Sequence, residues 1–352
     1  MLESQDSRWV SLLALALHLL LTKVLFSSWE MLAMTPAANT VIISSDTFAQ
    51  HKTGFHHPES PSRVTKALSL VKAESLPNVR WEEAIPAANQ DIERVHSKRL
   101  IKDFEQRAQE CSFQAISFHL DSDMMLCRES PLAARLASGA ATQAVDLLLQ
   151  GKAKNTFILS RPPGHHANQD KAFGFCYYNH IAVGARYALA KYPQEIKKIL
   201  IVDWDLHHGN GTQEIFTDQK NIYYFGVHLE GIFPFNPAES HIANDHIYNV
   251  PITKEDDRRR QVFSAFSQLE EKMRAFKPDL IFISAGFDGH KEEIIEEGGL
   301  GLDAQDYGTL TNKLRKIANS YAKNRIISIL EGGYAIKPLS QSILSHITHL
   351  QN

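Results

Sequence analysis

Residues 199–211 are Ile199-Leu200-Ile201-Val202-Asp203-Trp204-Asp205-Leu206-His207-His208-Gly209-Asn210-Gly211, an apolar run followed by two aspartates and two histidines. The run from Ile199 to Val202 is typical of a buried strand, and the charged side chains begin at its carboxyl end. Buried carboxylates must be paired or bound to a cation. The segment therefore predicts a core strand that ends in part of a metal site.

Strand-like and helix-like segments alternate along the rest of the chain. Strands are predicted at Val41–Ile43, Thr156–Leu159, Ile199–Val202, Leu280–Ile283 and Ile326–Leu330. Helices are predicted at Pro61–Ala73, Pro131–Gln150, His180–Lys191, Arg260–Phe276 and Asp303–Tyr321. This alternation predicts an α/β fold with a central, mainly parallel sheet and helices on both faces.

Composition indicates one large domain in a reducing compartment. The chain has 352 residues, of which 43% are hydrophobic, and this is enough to bury a sizeable core. Its 37 basic residues against 40 acidic ones give a net charge of -3, so we expect no direct nucleic-acid binding. The 3 cysteines show no paired framework, which favours a cytoplasmic protein and a metal site without cysteine.

The first 39 residues are a separate extension in this interpretation, and residues 40–352 are the catalytic domain. Trp9 to Phe26 is apolar and has nearly the length of a membrane-spanning helix. The residues before it lack the positive charge of a signal peptide. Three interpretations stay open: a membrane anchor, an amphipathic tail, or translation that starts at Met31 or Met34.

Polar residues follow four of the predicted strands directly. These segments are Arg161-Pro162-Pro163-Gly164-His165-His166, Asp203 to Gly211, Ser284-Ala285-Gly286-Phe287-Asp288 and Glu331-Gly332-Gly333-Tyr334. Binding sites of parallel sheets form at the carboxyl ends of the strands. We therefore expect the four segments to meet in one site.

Residue types suggest a metal centre within that site. Asp205 and His207 are two positions apart, so in an extended segment they point the same way and can reach one ion. Asp288 is the best candidate for a third ligand. Two carboxylates and one imidazole suit Zn²⁺, and equally Fe²⁺ or Co²⁺. The alternative is that Asp205 and His207 only make hydrogen bonds within a loop.

Three further side chains are candidates for acid-base chemistry. His165 and His166 are adjacent, so their side chains diverge, and proton transfer is a better role for them than shared metal binding. Tyr334 follows two glycines and could donate a hydrogen bond to a developing oxyanion. The competing interpretation for Tyr334 is a ring packed over a turn.

The order and spacing of these segments resemble a known family. R-P-P-G-H-H-A, G-F-C-Y-Y-N, D-W-D-L-H-H-G-N-G-T-Q, S-A-G-F-D and L-E-G-G-Y are similar to the histone deacetylase superfamily. The similarity is greater to its class II, bacterial deacetylase and acetylpolyamine amidohydrolase branch, whose N-terminal signature matches His51–Gly54 and His57–Arg63. The resemblance covers roughly residues 41 to 350 and implies a single arginase/deacetylase-like domain.

The resemblance also implies an activity and a role for each site residue. It implies a metal-dependent amidohydrolase that removes acetyl or related acyl groups from an acetylated lysine peptide or an acetylpolyamine, releasing acetate and a free amine. The implied roles are zinc ligands for Asp205, His207 and Asp288; a catalytic pair for His165 and His166, with Asp203 and Asn210 as their partners; carbonyl polarisation for Tyr334; and channel walls for Gly174, Phe175 and Phe233.

Three departures from the family pattern affect these expectations. Gly226 stands where a small hydroxylated residue is common, so a structural K⁺ would lose one contact. The residues after Phe233-Pro234 differ from the usual glycine-rich turn, so the channel rim is expected to be reshaped. Lys291 to Glu297 is unusually acidic and predicts either a solvated face or a carboxylate gate for a cationic acetylpolyamine. The unusual rim also leaves contacts of a homo-oligomer open.

The same residues argue against two other functions. An arginase-like ureohydrolase would need bridging carboxylates near Asp288, and none stands at the required offsets. A catalytically silent acyl-lysine binding module would have lost Tyr334, a dyad histidine or a metal ligand, and all of these are present. The sequence therefore favours the hydrolase.

Overall fold

The structure is a computed structural model that describes residues 39–111, 116–117 and 124–352. Residues Asn39–Asn352 form one compact unit. The extension predicted at 1–39, with the apolar segment Trp9–Phe26 and the alternative starts at Met31 and Met34, lies outside the described residues apart from Asn39. Within the described part, no helix combines the length and the apolar character that crossing a bilayer requires.

An eight-stranded parallel sheet forms the centre of this unit. Ten strands are described in all: β1 (Thr40–Ser44), β2 (Val79–Glu83), β3 (Ile116–Ser117), β4 (Met125–Leu126), β5 (Asn155–Ile158), β6 (Ile199–Asp203), β7 (Ile222–Leu229), β8 (Ile247–Ile252), β9 (Leu280–Ala285) and β10 (Ile326–Leu330). All but β3 and β4 belong to the large sheet. Their order in the sheet is β2-β1-β5-β10-β9-β6-β7-β8, and every neighbouring pair is parallel. β3 and β4 form a separate antiparallel pair.

Helices connect the strands. They are α1 (Ser62–Ala73), α2 (Asn89–Ile92), α3 (Lys98–Gln109), α4 (Ser130–Leu149), α5 (His180–Lys191), α6 (Asn210–Phe216), α7 (Pro237–Ser240), α8 (Arg258–Phe276), α9 (Ala304–Tyr321) and α10 (Ile336–Leu350), with a 3₁₀ turn at Asp46–Gln50. In one group α4 packs against α5 and β5, and in another α10 packs against α1 and α9.

Burial of the strands confirms the predicted α/β class. Every residue of β1, β5, β6, β7, β9 and β10 is buried. Because side chains alternate between the two sides of a strand, both faces of the sheet are covered. The eight-stranded sheet is wholly parallel, whereas the sequence predicted a mainly parallel one.

The site depends on four adjacent strands. β5, β10, β9 and β6 lie side by side in the middle of the sheet, and the four polar segments leave their carboxyl ends. The expectation that these segments meet is therefore confirmed by strand order, which chain order alone does not fix.

Buried charges fasten the loops at this edge. The Glu59 carboxylate accepts hydrogen bonds from Arg63 Nη1 at 2.9 Å and from Arg161 Nε and Nη2 at 2.8 and 2.7 Å. All three residues are 0% exposed. Burial alone would raise the pKa of Glu59, but Arg161 and His51 hold it well below its usual value. Arg63 also donates to the carbonyl oxygens of Glu331 and, at 2.6 Å, Gly333. The network thus joins the segments after β5 and β10.

We expect Glu59→Ala to lower the free energy of unfolding by about 3–5 kcal/mol, because it leaves two buried guanidinium groups without a counter-charge. Urea-induced unfolding measures this change. Glu93→Ala is the matched control. The Glu93 carboxylate lies 3.7 Å from Lys98 Nζ, and the Lys98 side chain is 84% exposed, so the loss of unfolding free energy should stay within about 1 kcal/mol. Equal losses for the two variants would contradict the role given to the network.

Candidate active site

Asp205, His207 and Asp288 lie together at the carboxyl ends of β6 and β9. Their ligand atoms are within 4.8 Å of one another, and all three residues are buried. His207 Nδ1 is 3.1 Å from Asp205 Oδ1 and 3.1 Å from Asp288 Oδ2. The three residues predicted as metal ligands are therefore brought to one point.

Backbone groups orient the two carboxylates. Asp205 accepts from the backbone N–H groups of His207 and Gly332, each at 2.8 Å, and Asp288 accepts from that of Leu206 at 2.8 Å. A Cβ atom on Gly332 would lie 2.1 Å from Asp288 Oδ2. A glycine is required here because the β10 loop passes so close to the carboxylate.

The donor set fits a divalent cation. Burial first, and then the neighbouring Asp205 carboxylate, raise the pKa of Asp288 to about 7, so the pair is strained without a positive charge between its members. Two carboxylates and one imidazole are ligands that Zn²⁺, Fe²⁺ and Co²⁺ all accept. A site with three protein ligands leaves a position open for water or substrate.

The two candidate dyad histidines have different partners. His165 Nδ1 lies 3.0 Å from Asp203 Oδ2, and His166 Nδ1 lies 2.8 Å from Asn210 Oδ1. Burial disfavours a charged imidazole, yet the carboxylates of Asp205 and Asp203 raise the pKa of His165 well above its usual value. Burial and the nearby His165 lower the pKa of His166 well below its usual value. One ring is therefore held cationic and the other neutral.

Asp203 has a further partner that the sequence did not suggest. The Tyr224 hydroxyl donates to Asp203 Oδ2 over 3.3 Å, and both residues are buried. A Cβ atom on Gly226 would lie 3.1 Å from the Tyr224 ring and 2.9 Å from Asn249 Oδ1. These two side chains take the space that a hydroxylated residue at 226 would need, which explains the departure at this position. Binding of K⁺ stays a prediction.

A narrow channel of about 200 Å³ leads to the candidate metal site formed by Asp205, His207 and Asp288. It is lined by His166, Gly174, Phe175, His207, Phe233, Ile295 and Tyr334. Gly174 has a φ of +54°, and a Cβ atom there would lie 2.5 Å from the His166 ring. The three predicted wall residues thus line the same cavity as a dyad histidine, a metal-site histidine and the candidate tyrosine.

Tyr334 is buried and lines this channel. Its ring is 4.9 Å from Arg63 Cζ, and its side chain is not packed over an exposed turn. Burial raises the pKa of Tyr334 well above its usual value, so the phenol stays protonated and available as a hydrogen-bond donor.

The acidic segment from Lys291 to Glu297 contains one buried carboxylate. Glu293 is buried, and its carboxylate accepts from the backbone N–H groups of Ile294 at 2.7 Å and Tyr334 at 3.0 Å. The neighbouring Ile295 lines the channel. No carboxylate is among the described residues that line this cavity, whereas Glu292 and Glu297 are exposed to solvent. The segment is therefore solvated in part, and a carboxylate gate at the channel rim stays a prediction.

Sequence reasoning also missed the part played by Glu331. Its buried carboxylate accepts from the backbone N–H groups of Gly164 at 2.6 Å and His165 at 3.1 Å, and from Ser284 Oγ at 3.2 Å. Glu331 thereby fixes the histidine segment relative to β9 and β10. The available signal was a charged residue at the end of a buried strand that is apolar except for Ser328.

Both ring nitrogens of His208 lie near side-chain amide oxygens. Nδ1 lies 3.3 Å from Asn236 Oδ1, and Nε2 lies 3.0 Å from Gln213 Oε1. The contact to Asn236 connects the segment that carries Phe233 to the segment that carries Asp205 and His207.

A family model for the histone deacetylase domain matches residues 57–350. The chain belongs to the histone deacetylase family. Among family members, a histone deacetylase 6 of Caenorhabditis elegans is 32% identical over 318 residues, covering 84% of this chain and 32% of the relative. An uncharacterized protein of Synechocystis sp. is 32% identical over 316 residues, covering 88% of this chain and 98% of the relative.

A solved structure of this histone deacetylase family supports the fold. The HDA15 HD domain has a TM-score of 0.79 and 28% identity, covering 90% of this chain and 88% of that chain. The first curated relatives are much longer proteins: the chain spans 20%, 32% and 25% of the length of the first three.

We expect Zn²⁺ to raise the unfolding temperature of the metal-stripped protein, because an ion bound only by the folded state adds about 2.7 kcal/mol of stability at a hundredfold excess over Kd. Asp205→Ala should abolish this increase. Asp218→Ala, which changes an exposed aspartate of the same chain, should keep it. Calorimetry with and without Zn²⁺ measures the effect, and an unchanged transition in the original protein would argue against the metal centre.

Proposed function

We propose that this protein is a zinc-dependent amidohydrolase that removes acetyl groups from acylated lysine side chains. The observation that carries the proposal is the common opening of His166, His207 and Tyr334 onto one narrow channel above a buried metal-binding cluster. We assign the activity to residues 40–352 and none to residues 1–39.

Zn²⁺, held by Asp205, His207 and Asp288, would polarise the amide carbonyl and lower the pKa of a water molecule. The remaining chemistry belongs to side chains of the channel. His166 carries its proton on Nδ1, since Asn210 Oδ1 accepts there, and Nε2 is left as the base that receives a proton from the attacking water. The same ring then protonates the leaving nitrogen, and acetate and a free amine result.

Tyr334 and His165 assist the attack by water in different ways. Tyr334 donates a hydrogen bond to the carbonyl oxygen, on which negative charge develops during attack. His165 stays cationic beside Asp203 and so keeps the pKa of His166 low. His166 is therefore in its basic form at neutral pH, before the reaction begins.

The channel walls favour acyl-lysine over a cationic acetylpolyamine. The walls at Phe175, Phe233 and Ile295 are apolar and suit the hydrocarbon stem of a lysine. Among the described lining residues, none carries a negative charge to attract a second amine. Beside the wall residues Phe233 and Ile295, the side chains of Phe235 and Ile294 are 73% and 68% exposed, which suits peptides with apolar residues beside the acylated lysine.

Hydrolysis of an acetyl-lysine peptide by the zinc-loaded protein tests the activity. Tyr334→Phe should lower kcat by about 10²–10³-fold with little change in zinc content, because it removes one donor to the developing oxyanion. Tyr321→Phe, in α9 away from the channel, is the control and should retain the original rate. Full activity of Tyr334→Phe, or of the metal-stripped protein, would refute the mechanism.

Substrate choice can be tested at the channel wall. We expect the original protein to prefer an acetyl-lysine peptide to N-acetylspermidine, and Ile295→Glu to shift the ratio of kcat/KM values toward N-acetylspermidine by about tenfold or more, since it places a carboxylate near a cationic amine. Ile85→Glu adds the same charge at an exposed isoleucine outside the channel lining and should shift the ratio much less. A preference of the original protein for N-acetylspermidine would establish the polyamine alternative instead.

A further inference from the structure

A second cavity, of about 740 Å³, lies at the amino-terminal ends of the central strands, whereas the active site lies at their carboxyl ends. Asn155 and Ile326, the first residues of β5 and β10, form part of its lining. One wall is a face of α9 that includes Asn312, Lys316 and Asn319, spaced four and three residues apart. The cavity is therefore separate from the channel that opens at the carboxyl ends of the same strands.

The charged side chains that line this cavity are all cationic. Lys154, Lys313, Arg315 and Lys316 belong to it, and no aspartate or glutamate side chain is among its described lining residues. Lys313 Nζ donates to Ser267 Oγ at 3.2 Å, and Arg315 Nη1 donates to Asn312 Oδ1 at 3.4 Å. Within the described part of the chain, none of the four cations makes an ion pair. This is a local excess of positive charge in a chain whose net charge is -3.

Another cavity of the same protein provides a comparison. It also has a volume of about 740 Å³, but its lining contains three cationic and three acidic side chains, and Lys254 Nζ lies 4.0 Å from Glu296 Oε2. Positive charge there is compensated within the protein. In the cavity beside α9 the cationic side chains have no such acidic partners among the described lining residues.

The side chains define the chemistry of that ligand. Lysine and arginine bind phosphate oxygens through charge-assisted hydrogen bonds, and the amides of Asn312 and Asn319 add neutral donors. No aromatic side chain is among the described lining residues, so a nucleobase would find no stacking partner. We propose that this cavity binds a short polyphosphate chain, as inorganic triphosphate or as the phosphate part of a nucleoside triphosphate.

This site is independent of the proposed catalysis. β10 runs from the cavity at Ile326 to the active site at Glu331, a separation of about 16 Å for a five-residue strand. Binding can therefore be measured without turnover, and loss of deacetylase activity would not affect the result.

The test is calorimetric titration of the full chain with sodium tripolyphosphate at low and high salt. We expect a Kd below about 1 mM at low salt that weakens as salt rises, because binding releases counter-ions from the phosphate chain. The double variant Lys313→Gln, Lys316→Gln should weaken binding by about tenfold or more, since each lost phosphate contact removes a charge-assisted hydrogen bond. Glutamine has nearly the same helix propensity as lysine, so the double variant should fold, and its unfolding temperature checks this.

The control is Lys66→Gln, Lys102→Gln, which removes two exposed lysines outside the cavity lining and should leave Kd within about twofold. ATP should bind within about threefold of tripolyphosphate, because the base has no stacking partner. Absence of binding, an equal loss in the control variant, or ATP binding more than about tenfold tighter than tripolyphosphate would overturn the proposal.

Discussion

Burial of two carboxylates at the ends of adjacent strands is the constraint on which the rest of the site depends. Asp205 and Asp288 are almost wholly excluded from water, so each needs hydrogen-bond donors and the pair needs a cation. Backbone N–H groups supply the donors, and these come from loops that must approach within 3 Å. The glycine at 332 follows from that approach, since any side chain there would strike Asp288.

The surrounding charges are arranged in layers around this cluster. Next to the candidate metal ligands, the carboxylates of Asp205 and Asp203 raise the pKa of His165, whereas burial and His165 lower the pKa of His166. Farther out, Glu331 holds the backbone of the histidine segment, and Arg63 holds the backbone of the segment after β10. Each layer places charged groups where a neighbour can compensate them, so catalytic geometry and fold stability depend on the same contacts.

Local sequence predicted the centre of the site well, because its signals are short in range. The spacing of Asp205 and His207 reports side-chain direction, and apolar runs report buried strands. The roles of Glu293 and Tyr224 could not be found in this way. Glu293 contacts Tyr334, which is 41 positions farther along the chain, and Tyr224 contacts Asp203, which is 21 positions before it, and only the fold brings these pairs together. The edge strands were missed for a related reason: β2 and β8 are partly exposed and lack a continuous apolar run.

The Glu293 carboxylate has a consequence for how substrate preference can evolve in this chain. The same carboxylate accepts hydrogen bonds from the backbone N–H groups of Ile294, Ile295 and Tyr334. The channel-lining Ile295 and the tyrosine that we propose as the donor to the substrate carbonyl therefore share one anchor. Mutations that remodel this loop to admit a new substrate will therefore disturb the position of the tyrosine as well. Such changes should be epistatic, and single point substitutions that preserve the loop backbone offer the most accessible evolutionary route to a new specificity.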